Sequence, residues 1–307
     1  MSASVGVLVM AYGTPASVAD IEPYYTHIRR GRPPEPHQLA DLVARYDAIG
    51  GISPLAARTE AQRRAIETAL EASDPGRFTV VIGQKHAAPF IEDGVATLVA
   101  AGVSAVVGVV LAPHYSGFSV GQYHERAGAA AAEAGVAFAG VHHWYDLPEF
   151  VEHQASGLTA VFATMPERTK VVFTAHSLPE RVLVDDPYPE QLAESAAAIA
   201  SAAGLGTWAS YGIAWQSAGR TPEPWRGPDI LTVIDDLADT GRADGIVVVP
   251  QGFTADHLEV LYDVDIEARL RAEARGLVLG RPPVVNDDPA VMGALARRVA
   301  SIVPEPS

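Results

Sequence analysis

The stretch Val5-Gly6-Val7-Leu8-Val9-Met10-Ala11-Tyr12-Gly13-Thr14-Pro15 decides the fold class of this 307-residue chain. Residues 5–10 form a continuous apolar run rich in β-branched side chains, which is typical of a strand buried on both faces of a parallel sheet. The tyrosine and the Gly-Thr-Pro turn that follow put polar groups directly after the carboxyl end of that strand. The stretch therefore predicts a buried parallel strand that ends at a candidate site.

The same pattern recurs along the chain, with helical segments between the apolar runs. Further runs that predict strands lie at 78–82, 105–111, 136–141, 170–174, 209–214, 245–249 and, more briefly, 277–279. Segments with helical periodicity lie between them, among them 38–48, 58–72, 91–101, 121–133, 188–203 and 228–239. Strands that alternate with helices indicate βαβ units, so we predict an α/β protein with parallel sheets flanked by helices.

A weak internal repeat of one sequence pattern indicates two similar halves. In each half a helix end leads into a buried strand and then into a loop marked by proline, at Pro113 and at Pro250, with a histidine soon after it. The length of the chain also suits two domains of about 150 residues each. We predict domains at 1–145 and 146–307, with the possibility that the final helix of the chain packs back onto the first domain.

The composition excludes several classes of protein. The formal net charge of −15, from 22 basic and 37 acidic residues, disfavours binding to nucleic acids and to anionic membranes. The absence of cysteine excludes disulfides, thiolate zinc sites and thiolate-ligated iron–sulfur clusters. No stretch approaches the ~18 apolar residues of a membrane span, and the first residues lack the basic region of a signal peptide. We expect a cytoplasmic protein.

The first candidate site residues are His176 and an acidic segment that follows it later in the sequence. A histidine after a strand suits proton transfer and the binding of borderline metals, although a lone histidine there is more often structural. The segment that starts at Thr254 reads as a helix with Thr254 as its N-cap. In such a helix Glu259, Asp263 and Glu267 stack on one face at i, i+4 and i+8. Like charges at this spacing repel, and a cation or protons moving along the face would offset that cost; a solvated acidic face is the alternative.

An early basic and aromatic stretch supplies a third candidate. Residues 24–34 carry two tyrosines and three arginines, with Arg29, Arg30 and Arg32 within four positions of an otherwise acidic chain. Arginine binds carboxylates through a bidentate fork, and aromatic rings stack on flat apolar ligands. The turn-like loop 50–54 can bring the Ser53 hydroxyl to the same ligand. This combination suits a planar molecule with acidic arms; the alternative is a solubilising surface loop.

Taken together, these motifs resemble the ferrochelatases, and specifically the coproporphyrin ferrochelatases of Gram-positive bacteria. The matching motifs are Met10-Ala11-Tyr12-Gly13-Thr14-Pro15, residues 24–32, residues 46–55, Lys85-His86, Leu111-Ala112-Pro113-His114, Ala175-His176-Ser177-Leu178-Pro179, Trp215-Gln216-Ser217, residues 221–229 and residues 255–263. They extend from residue 10 to about residue 267 when the acidic segment is included. No single motif decides the resemblance, which rests on the combination.

The resemblance implies two Rossmann-like, chelatase-type domains with an active-site cleft between them. It implies ATP-independent insertion of Fe²⁺ into coproporphyrin III, giving coproheme for haem b biosynthesis. By matched position, His176 is the catalytic histidine, Glu259 binds the metal, and Tyr12 faces the metal from the other side of the ring. Asp263 and Glu267 continue an acidic ladder. The implied substrate contacts are Tyr12, Arg29, Arg45, Tyr46, Ser53 and Tyr123.

The resemblance also implies that Fe²⁺ is a substrate and that the protein is a monomer, with neighbouring haem-pathway enzymes as possible partners. Many actinobacterial relatives carry a cysteine-ligated [2Fe–2S] cluster, which a chain without cysteine cannot hold, and we expect no prosthetic group. Three alternatives stay open: a protoporphyrin IX ferrochelatase, a cobalt or nickel chelatase, and a non-catalytic porphyrin or haem carrier. The second uses a pair of histidines in its relatives, and turnover distinguishes the third.

Overall fold

A computed structural model gives the fold of residues 4–206, 211–219 and 221–304. Residues 209 and 210, the first two of the predicted strand 209–214, lie outside these described residues. Within this part of the chain the strands are β1 (Val5–Ala11), β2 (Phe78–Gln84), β3 (Ala105–Val110), β4 (Ala137–Val141), β5 (Thr169–His176), β6 (Tyr211–Gln216), β7 (Gly245–Val249) and β8 (Val278–Gly280). Each predicted apolar run therefore contributes a strand.

The α-helices connect the strands and cover both faces of the sheets. In the first half they are α1 (Ile21–Ile28), α2 (Pro36–Ala48), α3 (Leu55–Ser73), α4 (Ile91–Ala100) and α5 (Val120–Glu133). In the second half they are α6 (Pro148–Phe162), α7 (Tyr188–Ala202), α8 (Ile230–Asp239), α9 (Leu258–Leu261), α10 (Arg269–Ala274) and α11 (Pro289–Ser301). A π-helical segment, Asp263–Ala268, lies between α9 and α10.

The strands form two four-stranded parallel sheets with the same topology. The first sheet has the order β2-β1-β3-β4 and the second has the order β6-β5-β7-β8. In each sheet the first strand along the chain is therefore central: Val5 of β1 pairs with Phe78 on one side and Ala105 on the other. The repeated order confirms the prediction of two parallel-sheet units flanked by helices.

The two halves share a hydrophobic core. Val7 and Val9 of β1 belong to the same buried cluster as Phe173 of β5 and Leu295 of α11. Helix α11 comes last in the chain and packs against α3 of the first half. The side chains of this cluster are shielded from solvent by both halves together, which fixes the relative position of the two sheets. The domain boundary near residue 145 stays a prediction.

Among the residues that the structure describes, no helix combines the length and the apolar character that a membrane crossing requires.

Candidate active site between the two sheets

A cleft of about 430 Å³ lies at the carboxyl ends of strands from both sheets. Its walls come from the residues that follow β1, β3, β6 and β7 and from the end of β5, which is where parallel α/β sheets bind ligands. The predicted site residues that line it are Tyr12, Arg45, Tyr46, Ser53, Tyr123, His176, Glu259 and Asp263. Two others, Arg29 and Glu267, do not line it.

His176 and Glu259 face each other in this cleft. His176 is the last residue of β5, Glu259 lies in the first turn of α9, and His176 Nε2 is 3.5 Å from Glu259 Oε1. The second carboxylate oxygen of Glu259 is 3.6 Å from Nε2 of His257. Both His176 and Glu259 keep 35% of the side-chain surface exposed, so a ligand in the cleft can reach them.

The pair is charged at neutral pH. Burial alone would lower the pKa of His176, but the charge of Glu259 and the hydrogen bond to it raise that pKa to about 9. Burial likewise works against the Glu259 carboxylate, yet His176 and then His257 hold the pKa of Glu259 far below its ordinary value. An opposite charge at this distance stabilises both charged forms, so the resting pair is an imidazolium beside a carboxylate.

Asp263 lies four residues after Glu259 in the acidic segment. Its carboxylate accepts hydrogen bonds from Ser217 Oγ and from Arg45 Nη1, the latter at 3.4 Å. Burial and the charge of Glu259 raise the pKa of Asp263 to about 6. Arg45 also donates to Asp41 at 3.2 Å. Arg45 therefore joins the acidic segment to the wall of the cleft that α2 provides.

The helix predicted from Thr254 begins later, so the N-cap prediction is wrong. Helix α9 starts at Leu258 with His257 as its extended N-cap residue, and the Thr254 hydroxyl donates instead to the carbonyl of Leu111. This hydrogen bond crosses between the two halves. The tertiary contact outweighs the local capping preference of threonine.

The predicted acidic face is also interrupted. The amide of Glu267 donates to the carbonyl of Tyr262, five residues earlier, which is the hydrogen bond of a π-helix. Regular α-helical stacking at i, i+4 and i+8 is therefore lost beyond Asp263. Asp263 lines the cleft and Glu267 does not, although the charge of Glu267 still raises the pKa of Asp263.

Tyr12 is an exposed aromatic residue that the first half of the chain contributes to the cleft. It directly follows β1, its exposed fraction is 44%, and its ring centroid lies 4.6 Å from that of His86. Desolvation of the phenol within the cleft, and then the charge of Glu259, raise the pKa of Tyr12 well above its ordinary value. The phenol therefore stays neutral, and its partial exposure lets it contact a flat ligand.

Arg29 lies at the end of α1, outside the lining of the cleft. Its Nε donates to the carbonyl of Arg32 at 3.3 Å, and its guanidinium lies 5.6 Å from the ring centroid of Tyr25. Tyr25 itself lines the cleft. Arg29 thus contacts a residue of the lining without lining the cleft itself.

Two polar residues that follow strands, His114 after β3 and Gln251 after β7, are buried where the halves meet. His114 Nε2 lies 2.8 Å from Ser195 Oγ, and this hydroxyl donates to Gln251 Oε1 at 2.7 Å. His114 is 2% exposed and Gln251 is fully buried. Their polar groups contribute to the contact between the halves rather than to the cleft.

His257 is one of the lining residues that were not selected as candidates from the sequence. Its extended backbone at the N-cap turns the side chain back toward Glu259, two residues later. The spacing of His257 and Glu259 was the available signal, but a helix starting at Thr254 would have pointed the two side chains in different directions.

Two Rossmann-like units with a histidine–carboxylate pair in the cleft between them define a chelatase-type protein. The fold matches that of the solved structure of SirB from Bacillus subtilis with Fe³⁺, with a TM-score of 0.57, 14% identity, and coverage of 97% of this chain and 95% of that one. It also matches CbiX, the terminal enzyme of sirohaem biosynthesis in denitrifying bacteria, with a TM-score of 0.55, 13% identity, and coverage of 97% and 100%. At these identities the likeness shows the fold alone.

The family follows from the sequence comparisons. The family described as Ferrochelatase matches residues 4–302. The coproporphyrin III ferrochelatase of Geobacillus kaustophilus is 48% identical over 298 residues, covering 95% of this chain and 93% of that protein. The coproporphyrin III ferrochelatase of Bacillus subtilis is 47% identical, with 95% of each chain covered. The chain belongs to the ferrochelatase family of lyase-class metal chelatases, which confirms the resemblance.

Proposed function

We propose that this protein inserts Fe²⁺ into coproporphyrin III and so forms coproheme for haem b biosynthesis. The observation that carries the proposal is the ion pair of His176 and Glu259 in a cleft of a ferrochelatase-family chain. Identity of 44–48% to eight relatives named coproporphyrin III ferrochelatase favours this porphyrin over protoporphyrin IX. The iron is a substrate in this reaction.

Binding of the porphyrin uses the first half of the chain. Coproporphyrin III is a planar macrocycle with four propionates, so it needs aromatic faces for the ring and cationic or hydroxyl groups for the carboxylates. The first half lines the cleft with Arg45, Tyr46, Ser53 and Tyr123. Arg29, whose guanidinium contacts the ring of the lining residue Tyr25, supplies a second cationic group for a propionate.

Metal delivery uses Glu259. Because its pKa is far below neutral, Glu259 is a carboxylate whenever Fe²⁺ arrives, and oxygen and imidazole ligands both suit this metal. Fe²⁺ at Glu259 offsets the negative charge that keeps the proton on His176. The pKa of His176 then falls, and Asp263, the next carboxylate of the cleft, takes up the proton that leaves.

Proton removal uses His176. Once neutral, its imidazole accepts one pyrrole proton, passes it to Asp263 and then accepts the second, so two protons leave the ring as Fe²⁺ enters and the charge balances. Tyr12, a neutral phenol of the first half, offers an oxygen to the iron from the other face of the macrocycle. The second half of the chain thereby supplies the base and the metal-binding carboxylate, and the first half supplies the tyrosine.

Substrate preference tests the proposal. We expect kcat/KM for anaerobic Fe²⁺ insertion to be higher with coproporphyrin III than with protoporphyrin IX, and Arg45→Ala to reduce that preference. Equal or reversed preference would indicate a protoporphyrin IX ferrochelatase. Binding of one equivalent without turnover would indicate a porphyrin carrier.

The same proposal includes a cytoplasmic monomer without a prosthetic group, which passes coproheme to the next enzyme of the pathway. The net charge of −15 supports an enzyme that stays off anionic membranes and nucleic acids. Cosedimentation with anionic vesicles and the solution mass from light scattering test these points. Bound protein at physiological salt, or a mass above that of one chain, would contradict them.

A further inference from the structure

One side chain of the first half is hydrogen-bonded to two backbone groups of the second. Gln62 lies on α3 and is fully buried. Its Nε2 donates to the carbonyl of Thr254 at 3.2 Å and to the carbonyl of Asn286 at 2.9 Å. These partners are 192 and 224 residues away along the chain, so Gln62 joins the halves beside the cleft.

Thr254 and Asn286, which accept these hydrogen bonds, are joined to each other and to Asp256 by further hydrogen bonds. The amide of Asn286 donates to Thr254 at 2.7 Å. The amide of Asp256 donates to Asn286 Oδ1 at 3.0 Å, and Asn286 Nδ2 donates to Asp256 Oδ2 at 2.9 Å. Residues 254–257, here called the 254–257 loop, therefore move as one unit with Asn286.

The 254–257 loop leads directly into the metal side of the cleft. It ends at His257, the N-cap of α9, and Glu259 follows in the first turn. Arg58, one turn before Gln62 on the same face of α3, lies 3.7 Å from Asp256 Oδ2 and adds a charged contact to the same loop. Helix α3 thus contacts the loop at two successive turns.

The first residue of α3, Leu55, lies three residues before Arg58 and seven before Gln62, and it lines the porphyrin side of the cleft. The helix begins two residues after Ser53, which lines the cleft and is one of the predicted propionate contacts. These first turns of α3 are regular helix and therefore rigid, so the residues that follow Ser53 and the residues that contact the 254–257 loop keep a fixed separation. A displacement of about 1 Å at reacting groups costs an enzyme as much as 10²-fold in rate.

We propose that Gln62 is a positioning residue that sets the metal-side His257 and Glu259 against the bound porphyrin. Gln62 also lines the cleft, but both of its amide hydrogens are donated to backbone carbonyls, so it acts through the 254–257 loop. This inference rests on the proposed function, because it assigns the metal side to Glu259. An amide is the group required, since both of its hydrogens are donated to carbonyl oxygens and a carboxylate would be repelled by them.

The test is Gln62→Met, which keeps the length of the side chain and removes both donors. We expect kcat/KM for Fe²⁺ to fall about tenfold, the loss that follows from removing one or two hydrogen bonds that hold a loop. The Kd of coproporphyrin III, from quenching of its fluorescence, should be unchanged. Gln154→Met is the matched control: Gln154 on α6 is also buried, at 1% exposure, but does not line the cleft.

A second variant keeps the test valid if Gln62→Met folds poorly. Asn286→Gly suits the left-handed backbone at this position, where φ is 46°, and removes the side-chain bonds to Asp256. We expect the same selective loss toward Fe²⁺. If wild-type protein fails to turn over, the proposed function fails. If wild type turns over and both variants behave as Gln154→Met does, or lose porphyrin and iron affinity equally, the positioning role is overturned.

Discussion

At the scale of single residues, the carboxylate of Glu259 lies 3.5 Å from the imidazole of His176 and keeps that ring protonated. Replacing Glu259 by glutamine removes that charge and leaves the burial that disfavours imidazolium. We expect the pKa of His176, followed by NMR in the metal-free protein, to fall from about 9 to a lower value in Glu259→Gln. His153, which lies 3.4 Å from Asp288 outside the cleft, serves as the internal reference. An unchanged pKa of His176 would refute the coupling.

The same pair makes stability depend on pH in a defined direction. The pKa of His176 is raised from 6.5 to about 9 in the folded state, so the folded protein binds this proton more tightly than the unfolded chain does. The stabilisation is fully present below pH 6.5 and is lost as the pH rises through about 9. Denaturant unfolding should therefore show the advantage of wild type over His176→Gln shrinking across this window. A constant or growing difference would contradict the argument.

Individual site residues could be predicted to different degrees. His176 and Glu259 were selected because one ends a strand and the other falls in a recognisable motif, and topology brings such positions to one cleft. His257 was not selected because its contact depends on where α9 begins. Gln62 gave no local signal, because its partners are far away in sequence and are backbone carbonyls, which carry no residue identity.

At the scale of elements, α11 contributes to the stability of both halves. Leu295 is fully buried in the core cluster that includes strands of both sheets. Leu295→Ala should lower the free energy of unfolding by about 2–5 kcal/mol, because it leaves a cavity in a close-packed core. Leu270→Ala on α10 removes the same atoms from a residue that is 60% exposed and should change stability by about 0.5 kcal/mol or less. Equal effects in denaturant titrations would contradict this packing.

Element types were predictable where the pattern was strong and local. Continuous apolar runs such as 105–111 and 245–249 identified buried strands because both faces of each sheet are covered. The start of α9 and the π-helical segment after it were not predictable. Threonine at 254 has a capping preference, but its hydroxyl is used between the halves, and no residue type by itself specifies a π turn.

At the scale of the whole molecule, the shared core predicts cooperative unfolding. Val9 of the first sheet, Phe173 of the second and Leu295 of the last helix belong to one buried cluster, and buried hydrogen bonds from Gln62 cross the same boundary. We expect one transition, with coincident midpoints, when far-UV circular dichroism and tryptophan fluorescence follow denaturant unfolding. Two separated transitions would show that the halves unfold independently.

The whole-molecule arrangement was predicted in outline from alternating strands and helices. The order of the strands, and the use of the same order in both sheets, was only suggested by the weak internal repeat between the halves. Contacts across the boundary could not be read from one sequence, because they depend on how two separately formed surfaces meet. His114 and Gln251 illustrate this, since both lie in loops that follow strands, yet they are buried at the boundary and do not line the cleft.

The central claim is that the cleft between the sheets metallates coproporphyrin III through His176 and Glu259. The most direct measurement is anaerobic Fe²⁺ insertion into coproporphyrin III, followed by absorbance, in wild type, His176→Ala, Glu259→Gln and the control His153→Ala. We predict repeated turnover in wild type and in the control, and a loss of roughly 10²-fold or more in both cleft variants with porphyrin still bound. Near-normal turnover in either cleft variant, or none in wild type, would contradict the account.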